Sequence, residues 1–89
     1  MSWLARVYVL PKVEVLDPQG EAIRGALRHL GFAGVESVRS GRLFELHLAA
    51  PDRAAAEEIT REACERLLAN TVVESYRFDL EPAPSEVGA

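Results

Sequence analysis

One stretch constrains this chain more than any other: Trp3 to Leu10, reading Trp-Leu-Ala-Arg-Val-Tyr-Val-Leu. It is rich in β-branched and aromatic residues, the mark of a strand. Alternation puts Ala5, Val7 and Val9 on one face and Leu4, Tyr8 and Leu10 on the other. A strand that is apolar on both sides needs cover on both sides. With 89 residues the chain has room for one domain, expected over residues 1–81. A domain of that size hides only roughly 60–65% of the surface its unfolded chain exposes. Part of the cover is therefore expected from outside the chain, and a second copy is the simplest source.

The remaining elements can be placed from caps and periodicity. Asp17-Pro18-Gln19-Gly20-Glu21 opens a helix, with Asp17 as N-cap and Pro18 at the first helical position. Ile23, Leu27 and Leu30 follow at helical spacing, and Gly31 is a natural stop. Val35–Arg39 and Leu43–Leu48 are extended runs split by Ser40-Gly41, which fits either a hairpin or one long bent strand. Asp52 caps a second helix with Ala56, Ile59, Ala63 and Leu67 as its apolar stripe and Glu57–Arg61 and Glu62–Arg66 as acid-before-base pairs. Asn70 can end that helix in a left-handed conformation. Val72 to Leu80 is the last strand, with Val72, Tyr76, Phe78 and Leu80 on one face. Residues 82–89, rich in Pro, Ser, Gly and Ala, are expected to be a disordered tail.

The order β-α-β-β-α-β predicts a ferredoxin-like α/β sandwich: a four-stranded antiparallel sheet with both helices on one face. Its open face is expected to be buried against another copy. Acidic residues outnumber basic ones 14 to 10, a net charge of -4 at pH 7, which argues against a general nucleic-acid binder. No apolar run reaches the ~18 residues a membrane span requires. Met1 to Arg6 lacks a basic segment leading into an apolar one, so no signal peptide and a cytoplasmic location are expected. Single Asn, Gln, Met and Cys residues give a composition of the kind seen in heat-adapted proteins.

The search for chemistry finds no active-site constellation. His29 falls near the C-terminus of the first helix, where the dipole favours a cation. His47 lies on a strand with no Ser, Cys or Asp spaced to make a dyad, and two histidines on separate elements make a poor zinc site. Cys64, the single cysteine, reads as a small buried hydrophobe and not a nucleophile. The glycines match no phosphate-cradling pattern. The free N–H groups after Asp17 could hold an anion, although capping accounts for them. Arg39 and Arg42 flank the Ser40-Gly41 turn, either as solvated arginines or as contacts for an acidic or phosphate-bearing partner.

Several segments together resemble one family. They are Val7-Tyr8-Val9-Leu10-Pro11-Lys12, Val15-Leu16-Asp17-Pro18-Gln19-Gly20, Leu30-Gly31-Phe32, Val35–Arg42, Phe44-Glu45-Leu46, and Leu67-Leu68-Ala69-Asn70-Thr71-Val72-Val73-Glu74-Ser75-Tyr76. The chain looks like PurS, the small subunit of phosphoribosylformylglycinamidine synthase. The DPQG start and the LLAN-x-V-x-E-x-Y end are the specific parts. Thr71 and Arg42 depart from the family's frequent Pro and Lys.

The resemblance implies a place in de novo purine synthesis, within a carbon–nitrogen ligase complex that uses glutamine as amido donor. There, a synthetase subunit (PurL) uses ATP and Mg²⁺ and a glutaminase subunit (PurQ) releases ammonia. The small subunit, a homodimer or tetramer, sits between them and assists ammonia transfer. It brings no catalytic residue, cofactor or metal of its own. Arg39, Arg42, Asn70, Glu74 and Tyr76 are the interface candidates, because they lie in family-like segments and are more polar than a fold alone demands. Asn70 also has a structural use as a cap. The alternative is a free-standing ACT-like module that binds a small effector at a dimer interface, a class that shares this order of elements.

Overall fold

The computed structural model describes residues 1–83. The Trp3–Leu10 run lies within strand β1, Ser2–Pro11, at the centre of a three-stranded sheet ordered β2-β1-β3. Strand β2 is Arg42–Ala49 and strand β3 is Glu74–Ala83, both antiparallel to β1. The register puts Val7 between Phe44 and Phe78, and Ala5 between Leu46 and Leu80. Trp3, Ala5, Val7 and Val9 therefore share one face with these aromatic and aliphatic neighbours, and all four are buried.

Helix α2, Arg53–Ala63, covers that face. The Asp52 carboxylate accepts the Ala55 N–H at 2.8 Å, as its capping role predicts. Of the two anticipated ion pairs, Arg66–Glu62 forms at 3.2 Å, while Arg61 turns instead to Glu58 at 3.1 Å. The helix continues into a π-helical turn, Cys64–Leu68, closed by the Ala69 N–H donating to the Cys64 carbonyl at 3.1 Å. The extra residue in this turn lets Cys64, Leu68 and Ala69 all reach the core around Val7 and Val9. A second cluster joins Trp3, Ala50 and Ala56 beside Leu48 and Leu80. There the indole N–H donates to the Ala50 carbonyl at 3.3 Å, and the Arg53 guanidinium lies 5.3 Å from the ring centroid.

The four-stranded expectation is overturned. Val35–Arg39 forms no strand, and Ser40-Gly41 is not a hairpin turn. Segment 35–40 is pinned to the start of α1, Pro18–His29, instead of to a sheet edge. Asp17 accepts the Gly20 N–H at 3.0 Å on one oxygen and the Ser40 N–H at 2.8 Å on the other. Gly20 sits against the Val38 carbonyl with no room for a Cβ. The chain then passes so close to the Val9 carbonyl that Gly41 too must lack a Cβ, and it runs directly into β2.

The two helices do not share a sheet face either. Gly20 is the only buried residue of α1. The radius of gyration is 16.5 Å, against about 12 Å for a compact chain of this length, because α1 stands away from the sheet. The helix ends as expected, with Arg28 and His29 in its last turn and Gly31 at a φ of 101°. Asn70 does not adopt the left-handed conformation, since among the described residues none other than glycine has a positive φ. The π-turn has already ended the helix, leaving Asn70 free to organise the next loop. Of the expected tail, Pro82 and Ala83 belong to β3, and residues 84–89 lie outside the described residues.

Candidate functional site

Four of the five interface candidates meet at one corner. Arg42 opens β2 and Glu74 opens β3, and the register sets them opposite Val9 and Pro11 of the strand between. Both lie on the α2 side, so the Arg42–Glu74 bond crosses the end of β1. One guanidinium nitrogen of Arg42 donates to both Glu74 oxygens at 2.7 Å. The same guanidinium lies 5.6 Å from the Phe44 ring centroid. Glu74 also accepts the Asn70 N–H at 2.8 Å. Asn70 in turn accepts the Val72 N–H on its side chain at 3.2 Å and the Val73 and Glu74 N–H groups on its carbonyl at 3.0 and 2.7 Å.

Tyr76 completes the corner. Its hydroxyl donates to Glu65 at 2.7 Å. That bond, with burial second, pushes the phenol up to about 12 from an ordinary value of 10.0. Arg39 stands apart: it donates to the Pro11 carbonyl at 3.0 Å and lines two surface recesses. The larger recess, about 390 Å³, opens between the start of α1 and residues 37–39 and is lined by Val13, Leu16, Asp17 and Glu21 among others.

The polar groups of Arg42, Asn70 and Glu74 are largely spent on one another, and the Tyr76 hydroxyl on Glu65. Their role is to hold the β1 end, the π-turn and the 69–73 loop in one arrangement. The sequence reasoning missed the complementary feature, which is exposed apolar surface. Leu16, Val13, Leu67, Leu30 and Val72 are each at least 70% exposed, and Phe32 is 55% exposed. Ile23 of the α1 stripe is exposed and Leu27 only half-buried. No local pattern reveals this, because a stripe at helical spacing looks the same whether its own sheet covers it or not.

The open sheet face carries Leu4, Arg6, Tyr8 and Leu10 from β1. It is more polar than expected from Leu4, Tyr8 and Leu10. Arg6 pairs with Glu45 at 3.2 Å and Glu81 at 3.0 Å, and Arg77 lies 4.0 Å over the Tyr8 ring. His47 lies on this face opposite Leu4. Cys64 is buried, and burial pushes its thiol up, away from the thiolate a nucleophile would use. Among the described residues no group of three or more His, Cys, Asp or Glu side chains is placed to hold a metal ion. No helix there is long and apolar enough to cross a membrane.

A sheet covered on one side, a helix standing off it and a hydrogen-bonded corner ringed by exposed aliphatic side chains define an incomplete α+β domain. Residues 4–82 match the family model PurS, phosphoribosylformylglycinamidine (FGAM) synthase. The chain is 46% identical to the PurS subunit of Synechocystis sp. over 79 residues, covering 89% of this chain and 79% of that one. It is 45% identical to the Bacillus subtilis PurS subunit over 76 residues, covering 85% and 89%. It superposes on a chain of the PurLQS structure from Thermotoga maritima with a TM-score of 0.84 at 33% identity, covering 91% of this chain and 99% of that one. The chain belongs to the PurS family, the small subunits of phosphoribosylformylglycinamidine synthase in purine biosynthesis.

Proposed function

We propose that this chain joins the synthetase subunit PurL and the glutaminase subunit PurQ in one complex and assists ammonia transfer between them. In that complex formylglycinamide ribonucleotide, ATP and glutamine become formylglycinamidine ribonucleotide, ADP, phosphate and glutamate. ATP and Mg²⁺ serve the synthetase subunit; this chain supplies no catalytic group, cofactor or metal of its own, and it works in the cytoplasm. The carrying observation is the number of large aliphatic side chains left exposed, among them Val13, Leu16, Leu30, Leu67 and Val72. A monomer rarely exposes apolar side chains in such number without a partner for them. The task suits such a module, because ammonia made at one centre must reach another without escaping to water.

Self-association belongs to the same reading. In this reading a second copy covers the α1 stripe and the open sheet face. Two-fold pairing would serve both copies equally. Light scattering at micromolar concentration should give a mass of at least two chains, and a clean monomer mass would remove this part of the proposal.

The test of the whole is reconstitution. With the three subunits, ATP, Mg²⁺ and formylglycinamide ribonucleotide present, leaving this chain out should abolish turnover driven by glutamine while turnover driven by added ammonia persists. Equal glutamine-driven turnover with and without it would refute the proposal. The ACT-like alternative finds no specific support beside the family match over residues 4–82.

A further inference from the structure

We propose that β2 is a pairing edge: the β2 strand of a second copy adds antiparallel alongside it, with Glu45 facing the partner's His47, so that two three-stranded sheets join into one. This rests on the self-association proposed above and deepens it by assigning a sheet edge and a register.

The two edges of the sheet differ. The Ala50 N–H donates to the Met1 carbonyl at 3.0 Å, in step with the β1–β2 register. In an antiparallel ladder, residue pairs that exchange hydrogen bonds alternate with pairs that do not. Arg42, Phe44, Leu46 and Leu48 therefore bond to β1, while Leu43, Glu45, His47 and Ala49 turn their N–H and C=O groups away from it. On the other side the Lys12 N–H donates to the Val73 carbonyl at 2.9 Å, which fixes the phase in the same way. There Glu74, Tyr76, Phe78, Leu80 and Pro82 point outward. That edge is blunted, because Pro82 has no N–H to offer and the Arg53 guanidinium donates to the Leu80 carbonyl at 3.4 Å. Among the described residues nothing bonds the outward backbone groups of β2. Its eight residues hold no Pro or Gly, and its pairing with β1 runs without a bulge.

The occupant is read from the strand itself. A two-fold axis through Leu46, normal to the sheet, sets Leu43 opposite the partner's Ala49 and Glu45 opposite the partner's His47. Every outward backbone group of β2 then gains a hydrogen-bond partner. A carboxylate meets an imidazole, acceptor against donor, once on each side of the axis. Sliding the register two residues either way sets Glu45 on the partner's Glu45 or His47 on the partner's His47, and shortens the ladder. Opposed residues share a face, so on the α2 side Phe44 meets the partner's Leu48 and Leu46 meets the partner's Leu46. These three side chains are only half-buried in the single chain, whereas Val7 and Ala5 beside them are fully buried. An unrelated strand would supply the backbone bonds, but a second β2 supplies the side-chain match as well.

The test uses the full chain and amide hydrogen exchange at concentrations below and above its self-association. When associated, the N–H groups of Leu43, Glu45, His47 and Ala49 should exchange at least about tenfold more slowly than when dilute, and those of Tyr76, Phe78 and Leu80 on the other edge should change little. His47→Pro removes an outward N–H and leaves the ladder to β1 intact. It should weaken self-association by more than about tenfold, since each copy loses a bond across the axis. Should that variant fail to fold, the exchange pattern of the wild-type chain decides. Association with unchanged exchange at the four β2 positions overturns the pairing and leaves self-association standing. Protection that appears only on adding PurL or PurQ also overturns it, by giving the edge to another chain. A chain that stays monomeric refutes self-association and this inference with it.

Discussion

Val7 and Tyr8 are neighbours in β1 that look to opposite sides of the sheet, and they make a sharp comparison. Val7 is 0% exposed, stands between Phe44 and Phe78, and packs under Cys64 and Ala69. Truncating it to Ala removes two methyl-sized groups, about 1.6 kcal/mol of transfer free energy. The cavity left beneath a helix that cannot fully collapse raises this to about 2–3 kcal/mol. For a domain of this size each kcal/mol lowers the midpoint by about 4–8 °C, so Val7→Ala should melt roughly 8–24 °C below wild type. Tyr8 is half-buried, with Arg77 stacked at 4.0 Å. Loss of that stacking costs about 0.5–1 kcal/mol, so Tyr8→Ala should melt only a few degrees low in dilute solution. Because the open face is assigned to a second copy, the Tyr8→Ala deficit should widen as protein concentration rises, while that of Val7→Ala stays constant. Circular dichroism melts at two concentrations measure both. A Val7→Ala midpoint within about 3 °C of wild type would refute the packing argument, since no other buried site in the sheet is more enclosed.

Other outcomes follow from the corner and the arm. Tyr76 is held protonated by Glu65, with a folded value of about 12 against 10.0. The stability it lends is therefore complete below pH 10 and lost as pH rises toward 12, and Tyr76→Phe should flatten that part of a pH–stability curve. Asp17 behaves with the opposite sign. N–H bonds from Ser40 and then Gly20 hold its carboxyl below the usual range, so its contribution is present at neutral pH and fades as pH falls through the folded value. Asp17→Asn should remove that acid dependence and loosen α1, seen as faster hydrogen exchange in residues 18–22 and 38–40. Arg42→Ala breaks a pair whose side chains are 51% and 22% exposed, so it should cost only about 1 kcal/mol, yet speed hydrogen exchange at Asn70, Val72 and Val73.

The corner also explains why residues can look like interface and serve another purpose. Arg42, Asn70 and Glu74 are more polar than a simple strand and helix need, which is what marks them as interface candidates in the sequence. The surplus goes into mutual hydrogen bonds that shape the 69–73 loop. The large exposed side chains beside that loop are aliphatic, Leu67 and Val72. Arg39 was the exception, as its single bond to the Pro11 carbonyl leaves it on the rim of two recesses.

The amino-acid sequence by itself determined what depends on neighbours along the chain. Alternation marked β1 as a strand needing cover on both sides, Asp17 and Asp52 marked where the helices begin, and Gly31 marked where the first one stops. Caps, turns and periodicity act over a few residues, so they can be read locally. Only the tertiary structure decided that Val35–Arg39 is not a strand, that α1 leaves the sheet, and that a π-turn ends the second helix. Those outcomes turn on contacts between distant residues: Asp17 with Ser40, Gly20 with Val38, Gly41 with Val9. A strand-forming segment becomes a strand only if a sheet edge is offered to it, and here the Asp17 carboxylate holds that stretch of backbone at the helix start instead.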